Sequence, residues 1–408
     1  MIWLYRGGSG HKARAGTNLV VAHIFSLPVS KPVAILAMTA ALCACGYDTR
    51  VRAARSSTGA QAPLIVAIPP RSGPSAGRHV LPAPPMLAAN VTQLVRGFTG
   101  KVGVAVRSVD DGWLIDAGGS QRLPQQSVSK LWVAMTVLSA RDAGKLRLDD
   151  PITLTRNDIT LFHQPIAGLI RGDTGYRTTV GELLQRALTM SDNTANDRLM
   201  RLVGGPNAVR GFIARKGLGA IGFGPGERML QAGTAGLTWQ PSYAFNDGFN
   251  RARNALSRAD RIAAYQRYVA NPPDGAAPTA ITGALARLKR GDLLSAASTS
   301  YLIGTMQSSH TGKMRLRGAV PAGWSFGHKT GTGQDLAGRT AGYNDVGLLI
   351  APDGRTYAIA VMIGDTPRPI PARQALMQAV VSSVVANHAS TASANANASR
   401  RNVARSNG

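Results

Sequence analysis

The sequence predicts an α+β fold: a five-stranded antiparallel sheet flanked by helices from the two ends of the domain, with an all-helical lobe inserted between its strands. Three observations lead there. Strand-like runs with glycine turns occur near residue 100 and again beyond residue 320, the long interval between them carries helical periodicity, and a helix lies outside each strand group. In order, 86–98 reads as the opening helix. Lys101-Val-Gly-Val-Ala-Val106 and Trp113-Leu-Ile-Asp-Ala117 then make a hairpin about the turn Asp110-Asp-Gly112. Segments 128–142, 180–190, 194–202, 258–269 and 295–307 have the spacing of helices. Three further strands follow at 324–329, 343–350 and 356–363, the last two joined by Pro352-Asp-Gly354, and 371–386 closes as a helix.

The chain has 408 residues, is 44% hydrophobic and only 16% charged, so it can bury a sizeable core and is not disordered throughout. Its formal charge of +25 raises the question of a polyanionic partner. The distribution of the charge argues against nucleic acid. Residues 1–90 hold nine Lys or Arg against the single acid Asp48, and the tail from Thr391 adds three Arg. The remaining excess is scattered arginine, without the interleaved aromatic residues that single-strand binders use.

Four segments are expected. Residues 1–45 read as an export signal: Lys31 precedes an apolar run, and Leu42-Cys-Ala-Cys45 ends in Gly46, a small-residue cleavage pattern. It resembles a bacterial lipoprotein signal, with cleavage before Cys45 and lipid on its sulfur; an ordinary secretory signal and an uncleaved anchor are the alternatives. All three place the rest of the chain outside the cytoplasm, in the periplasm or cell envelope. Residues 46–85, rich in Pro, Ala and Arg, read as a disordered tether, 86–388 as the folded domain, and 389–408 as a disordered basic tail. With both cysteines at 43 and 45, the domain can hold no disulfide or cysteine metal site.

Ser127-Val-Ser-Lys130, Ser191-Asp-Asn193 and Lys329-Thr-Gly331 occur in that order. A lone S-x-x-K carries little, since usage of two common residues gives on the order of one chance match in a chain this long. The ordered triple is far rarer. Ser127 opens an almost wholly apolar helix, with Lys130 three residues on and on the same face, where a desolvated lysine could accept the proton that an alcohol nucleophile must lose. Ser191-Asp-Asn193 falls between two helices, where a capping role is the plain reading. Lys329-Thr-Gly331 follows a strand, and Gly331 and Gly333 permit close backbone approach. His328 points to the opposite face of that strand and is expected to be structural.

This motif set resembles that of class A serine β-lactamases and penicillin-binding proteins. The likeness spans roughly 86–386 and extends to Leu188-Thr-Met before the second motif and Gly204-Gly-Pro206 after it. It implies the same α+β architecture, no metal and no cofactor, a monomer, and a small β-lactam substrate. It also implies roles. Ser127 is the nucleophile, Lys130 takes part as base, Ser191 carries a proton to the leaving nitrogen, and Asn193, Thr330, Gly331 and Thr332 bind substrate while Lys329 supplies positive potential. Backbone N–H groups of Ser127 and Thr332 would form the oxyanion hole. Glu227-Arg-Met-Leu230-Gln231 matches the family's E-x-x-L-N pattern except for Gln231, making Glu227 the water-activating base; a surface glutamate in a glycine-rich loop is the alternative. No acid is evident that would close this loop with an ion pair. Arg315 matches a position where some members place a guanidinium for the substrate carboxylate.

Between Gln231 and Pro278 the chain is about thirty residues longer than the family usually carries, and 233–253 reads as an extra loop bearing Trp239, Tyr243, Phe245 and Phe249. Two other functions stay open: a D-alanyl-D-alanine peptidase or penicillin-binding acyltransferase acting on peptidoglycan, and a non-catalytic lipoprotein that binds cell wall.

Overall fold

In a computed structural model, which describes residues 80–406 and gives 391–406 as backbone alone, five strands pair antiparallel in the spatial order Leu114–Ala117, Lys101–Ser108, Thr356–Asp365, Tyr343–Ile350, Ser325–Thr332. The signal segment with Cys45 and nearly all of the tether lie outside the described residues. Thr356–Asp365 is central, and its residues serve two cores by simple alternation. Ile359, Val361 and Ile363 face Leu87 and Val91 of the first helix, Pro85–Arg96, and Met377, Val380 and Val384 of the last. Ala358, Ala360 and Met362 face the lobe, where Ile281 and Leu285 of the helix Pro278–Lys289 lie. A strand covered on both faces has no polar alternation to show, which is why its sequence reads as one apolar run.

The predicted strands and main helices are present, with three differences. Strand 324–329 extends as Ser325–Thr332, because pairing with Tyr343–Ile350 continues to Thr332↔Tyr343; Lys329-Thr-Gly331 therefore lies inside the sheet edge. The interval between the strand groups is not purely helical. It contains the ladders Leu123–Pro124 with Gly275–Ala276 and Pro151–Leu154 with Tyr176–Thr179, too short for alternation to be legible. Third, the tail expected to be disordered continues the terminal helix, Ile370–Ser406: it is rich in alanine and has neither Gly nor Pro between Pro371 and Ser406 to stop it.

The 233–253 segment is also not a plain loop. The helix Glu227–Thr234 runs into it, Pro241–Ala244 forms a 3₁₀ turn, and Gly248–Ala255 is a helix. Its aromatic residues make a small core of their own: Phe249 is buried with Leu161 and Ala235, and Leu237, Trp239 and Tyr243 pack on that group. Phe245 lies instead under the guanidinium of Arg156, 5.0 Å from the ring centre. These aromatic residues serve packing, and the partner that organises them, Leu161, is distant in sequence.

Candidate active site

The helix Lys130–Asp142 is apolar on every side and runs through the lobe's core; Leu131, Trp132, Val133, Met135 and Leu138 are all buried. A 3₁₀ turn, Gln126–Ser129, precedes it and carries Ser127 on the cleft wall. The residue before the serine is strained: Gln126 has φ +52°. Asp274 holds it there, accepting the Gln126 N–H at 2.7 Å, while the Gln126 amide donates to the Tyr268 hydroxyl at 2.6 Å and that hydroxyl donates to Asp274 at 3.0 Å. The strand Ser325–Thr332 closes against the same segment. A Cβ on Gly331 would come within 2.3 Å of the Gln125 carbonyl, so only glycine allows the approach.

Lys130 is the hub. Its ammonium donates to Ser127 Oγ at 2.8 Å, Asn193 Oδ1 at 2.8 Å and Glu227 Oε1 at 2.5 Å, using all three N–H groups. Glu227 is the first residue of the helix Glu227–Thr234 and is only 5% exposed, which overturns the surface-glutamate alternative. Its backbone N–H is capped by Asp197 Oδ1 at 3.0 Å. Burial opposes the charge of Glu227, yet Lys130 against it and the Gln231 amide hold its carboxyl below the usual range. Gln231 is fully engaged: its amide donates to Glu227 Oε2 and Gln126 Oε1, both at 3.1 Å, and its oxygen accepts from Gln334 at 3.0 Å.

On the facing wall, Ser191 sits in a left-handed turn, φ +61°, ahead of the helix Asn193–Leu202. Asp192 is the cap of that helix, which leaves Ser191 to accept from Lys329 Nζ at 2.9 Å. Burial, then the charges of Lys130 and Arg315, push the Lys329 ammonium well below its usual range. Thr330 Oγ1 meets Thr311 Oγ1 at 2.9 Å. Arg315 stacks on Tyr343, 3.8 Å from the ring centre, and donates to Thr332 Oγ1 at 2.5 Å and to the Gly331 and Asn344 carbonyls. His328 is turned away from the cleft, paired at 2.7 Å with buried Asp345.

Every residue given a catalytic or substrate-binding role in the domain's sequence thus meets at one cavity or immediately behind it. Asp197, Asp274, Tyr268 and Gln334 were not legible, since none belongs to a motif and each acts across long sequence separation. Asp197 is the acid that ties down the start of the Glu227 helix, through a backbone N–H in place of a cation.

Burial first, then the nearby Glu227 charge, raises Asp197 and Asp274 to about 6. A folded-state value above the unfolded one means that the folded protein holds these protons longer, so stability declines as pH rises from about 4 to about 6. Asp274→Asn is expected to remove its share of that slope, up to about 3 kcal/mol across the window. Denaturant melts of the two proteins at pH 4 and pH 7 measure it, and identical slopes would refute the assignment.

The beta-lactamase enzyme family's sequence model matches residues 86–388. The chain is 33% identical over 286 residues to the extended-spectrum beta-lactamase PER-1 of Pseudomonas aeruginosa, covering 69% of this chain and 80% of that protein. It is 27% identical over 261 residues to the carbapenem-hydrolyzing beta-lactamase KPC of Klebsiella oxytoca, covering 64% and 76%. Among solved structures, a beta-lactamase from Chitinophaga pinensis DSM 2588 superposes with a TM-score of 0.60 at 28% identity, over 73% of this chain and 97% of that one. An ancestral class A beta-lactamase gives 0.58 at 29%, over 74% and 99%. With its motif residues gathered at one cleft and its domain matched end to end, the chain belongs to the beta-lactamase enzyme family, in the class A serine branch.

Proposed function

We propose that this protein hydrolyses β-lactam antibiotics through an acyl-Ser127 intermediate. The observation that carries this is the unbroken line Ser127 Oγ, Lys130 Nζ, Glu227 Oε1, with contacts of 2.8 and 2.5 Å. As an ammonium with three acceptors, Lys130 can take the serine's proton only after passing one to Glu227, so the two share the base role. The serine oxygen then bonds to the lactam carbonyl carbon, with the Ser127 and Thr332 N–H groups facing the developing oxyanion. As the C–N bond breaks, Ser191 gives its proton to the nitrogen. Lys329, donating to Ser191 Oγ, leaves that O–H free to point at substrate and replaces the proton. The proton that Glu227 took from Lys130 makes good the one Lys329 gave up, so Glu227 is again a carboxylate; it then takes a proton from water, which attacks the ester, and that proton passes through Lys130 to Ser127 Oγ as the ester bond breaks and the ring-opened acid leaves. Asn193, Thr330 and Thr332 hold the substrate's amide and carboxylate, with Arg315 and Lys329 supplying positive charge behind the carboxylate.

The export signal supports a place in the periplasm or cell envelope, with the domain tethered through a lipid on Cys45. Such a monomer would meet its substrate outside the cytoplasm.

Intact-mass measurements after mixing with a penicillin and a cephalosporin test the reading. Hydrolysis with at most a transient adduct, and loss of both adduct and turnover in Ser127→Ala, is the expected result. A persistent adduct on the wild-type protein without turnover would instead mark a penicillin-binding acyltransferase, and neither adduct nor hydrolysis would mark a non-catalytic wall-binding protein.

A further inference from the structure

The cleft holds about 580 Å³, and one of its lining residues, Arg253, comes from the segment 233–253. Arg253, on the helix Gly248–Ala255, donates to the Asp335 carbonyl at 2.8 Å and so bridges that segment to the chain leaving the Lys-Thr-Gly strand. It is half-buried and forms no ion pair among the described residues. Burial and neighbouring Arg261 weigh against its charge, and the Asp335 carboxylate favours it. A partly desolvated cation facing a cavity is a site for an anion. Arg253 also lies apart from the Arg315 end of the cleft. Arg315 reaches Gly331 and Thr332, whereas Arg253 reaches Asp335, three residues further along the chain.

Phe162 lines the same cavity, 47% exposed and in the left-handed region at φ +59°. An aromatic residue held there needs support. Phe249, from the same helix as Arg253, supplies it, edge-on at 5.1 Å and 79°. One segment thus contributes a cation to the cleft directly and an aromatic wall through its neighbour.

We propose that the helix Gly248–Ala255 gives this cleft a second anion subsite, centred on Arg253, for β-lactams whose acyl side chain ends in a carboxylate, with Phe162 lying against the apolar stem of that side chain. The inference rests on Ser127 as the acylated residue and on Arg315 and Lys329 as the holders of the ring carboxylate, which leaves the opposite substituent to project toward Arg253.

The test uses the full chain with an oximino-cephalosporin carrying a carboxypropyl oxime ether, and with the methyl ester of that side chain, two compounds differing in one charge. The readout is the ratio of their kcat/KM values within each protein, so a general loss of activity cancels. The wild-type protein is expected to prefer the acid by about two- to fivefold, the range of a partly exposed charge pair, and less so as salt rises. Arg253→Gln is expected to bring the ratio to about one and Arg253→Lys to keep most of it. An unchanged ratio in Arg253→Gln overturns the subsite. Should the protein be acylated without turnover, the hydrolytic reading fails, and the same ratio taken from acylation rates still decides the subsite. No adduct with either compound overturns both.

Discussion

Glu227→Gln is expected to stall the protein as its acyl-Ser127 adduct, with release slowed by about a thousandfold or more, the range general-base catalysis supplies. The amide has the shape of the carboxylate and keeps a hydrogen bond from Lys130, but it cannot take a proton from water. Acylation should suffer less. Lys130 stays in place 2.8 Å from Ser127 Oγ, so the serine keeps its neighbouring proton carrier. Pre-steady-state mixing followed by intact-mass analysis separates the two steps. Wild-type rates of release from Glu227→Gln would remove this glutamate from the mechanism. In the wild-type protein, the depressed carboxyl of Glu227 stays ionised to below the ordinary glutamate range, so the acid limb of the deacylation profile should lie below about pH 4.5.

Lys130→Met is the second large effect, and it acts on folding as well as chemistry. Acylation should fall by about a thousandfold or more, because no group remains to carry the serine's proton to Glu227. The buried carboxylate would also be left without its ion-pair partner, a cost of about 3 to 5 kcal/mol in comparable cases. The sign with pH is informative. In the wild type, the lowered pKa of Glu227 makes this pair stabilising above the unfolded value, a contribution lost as pH falls through the folded one. With Lys130 gone, burial outweighs what the Gln231 amide and Lys329 still offer the Glu227 carboxylate and its pKa rises, so the variant should regain stability as pH falls. Lys130→Met with Glu227→Gln should recover most of the stability at pH 7 and none of the activity. Denaturant melts at pH 5 and 7 check this, and a double variant no more stable than Lys130→Met would show that the charge is not the cause.

Much of the site was legible because acyl transfer needs particular groups at close spacing. Ser127 and Lys130 stand three residues apart where a 3₁₀ turn meets a helix, Ser191 and Asn193 share a turn, and Lys329 and Thr330 share a strand, so each pair is local. What spacing could not show is how the three stretches are joined. Asp197 caps Glu227 from 30 residues away and Asp274 pins Gln126 from 148 away, and neither carries a local signal that separates it from any other acid. Gln231 shows the same limit. From sequence it is a near match to an asparagine position, whereas its bonds to Gln126, Glu227 and Gln334 make it a buried strut.

The sequence by itself determined the fold class, the five strands, the order of the motifs and the nucleophile, because strand alternation, helical periodicity and motif chemistry are properties of neighbouring residues. Tertiary structure alone decided that Glu227 is buried and charged beside Lys130, that 233–253 folds on its own aromatic core, and that Arg253 and Phe162 reach the cleft. Those outcomes depend on which groups lose water together, and desolvation is set by packing between distant segments.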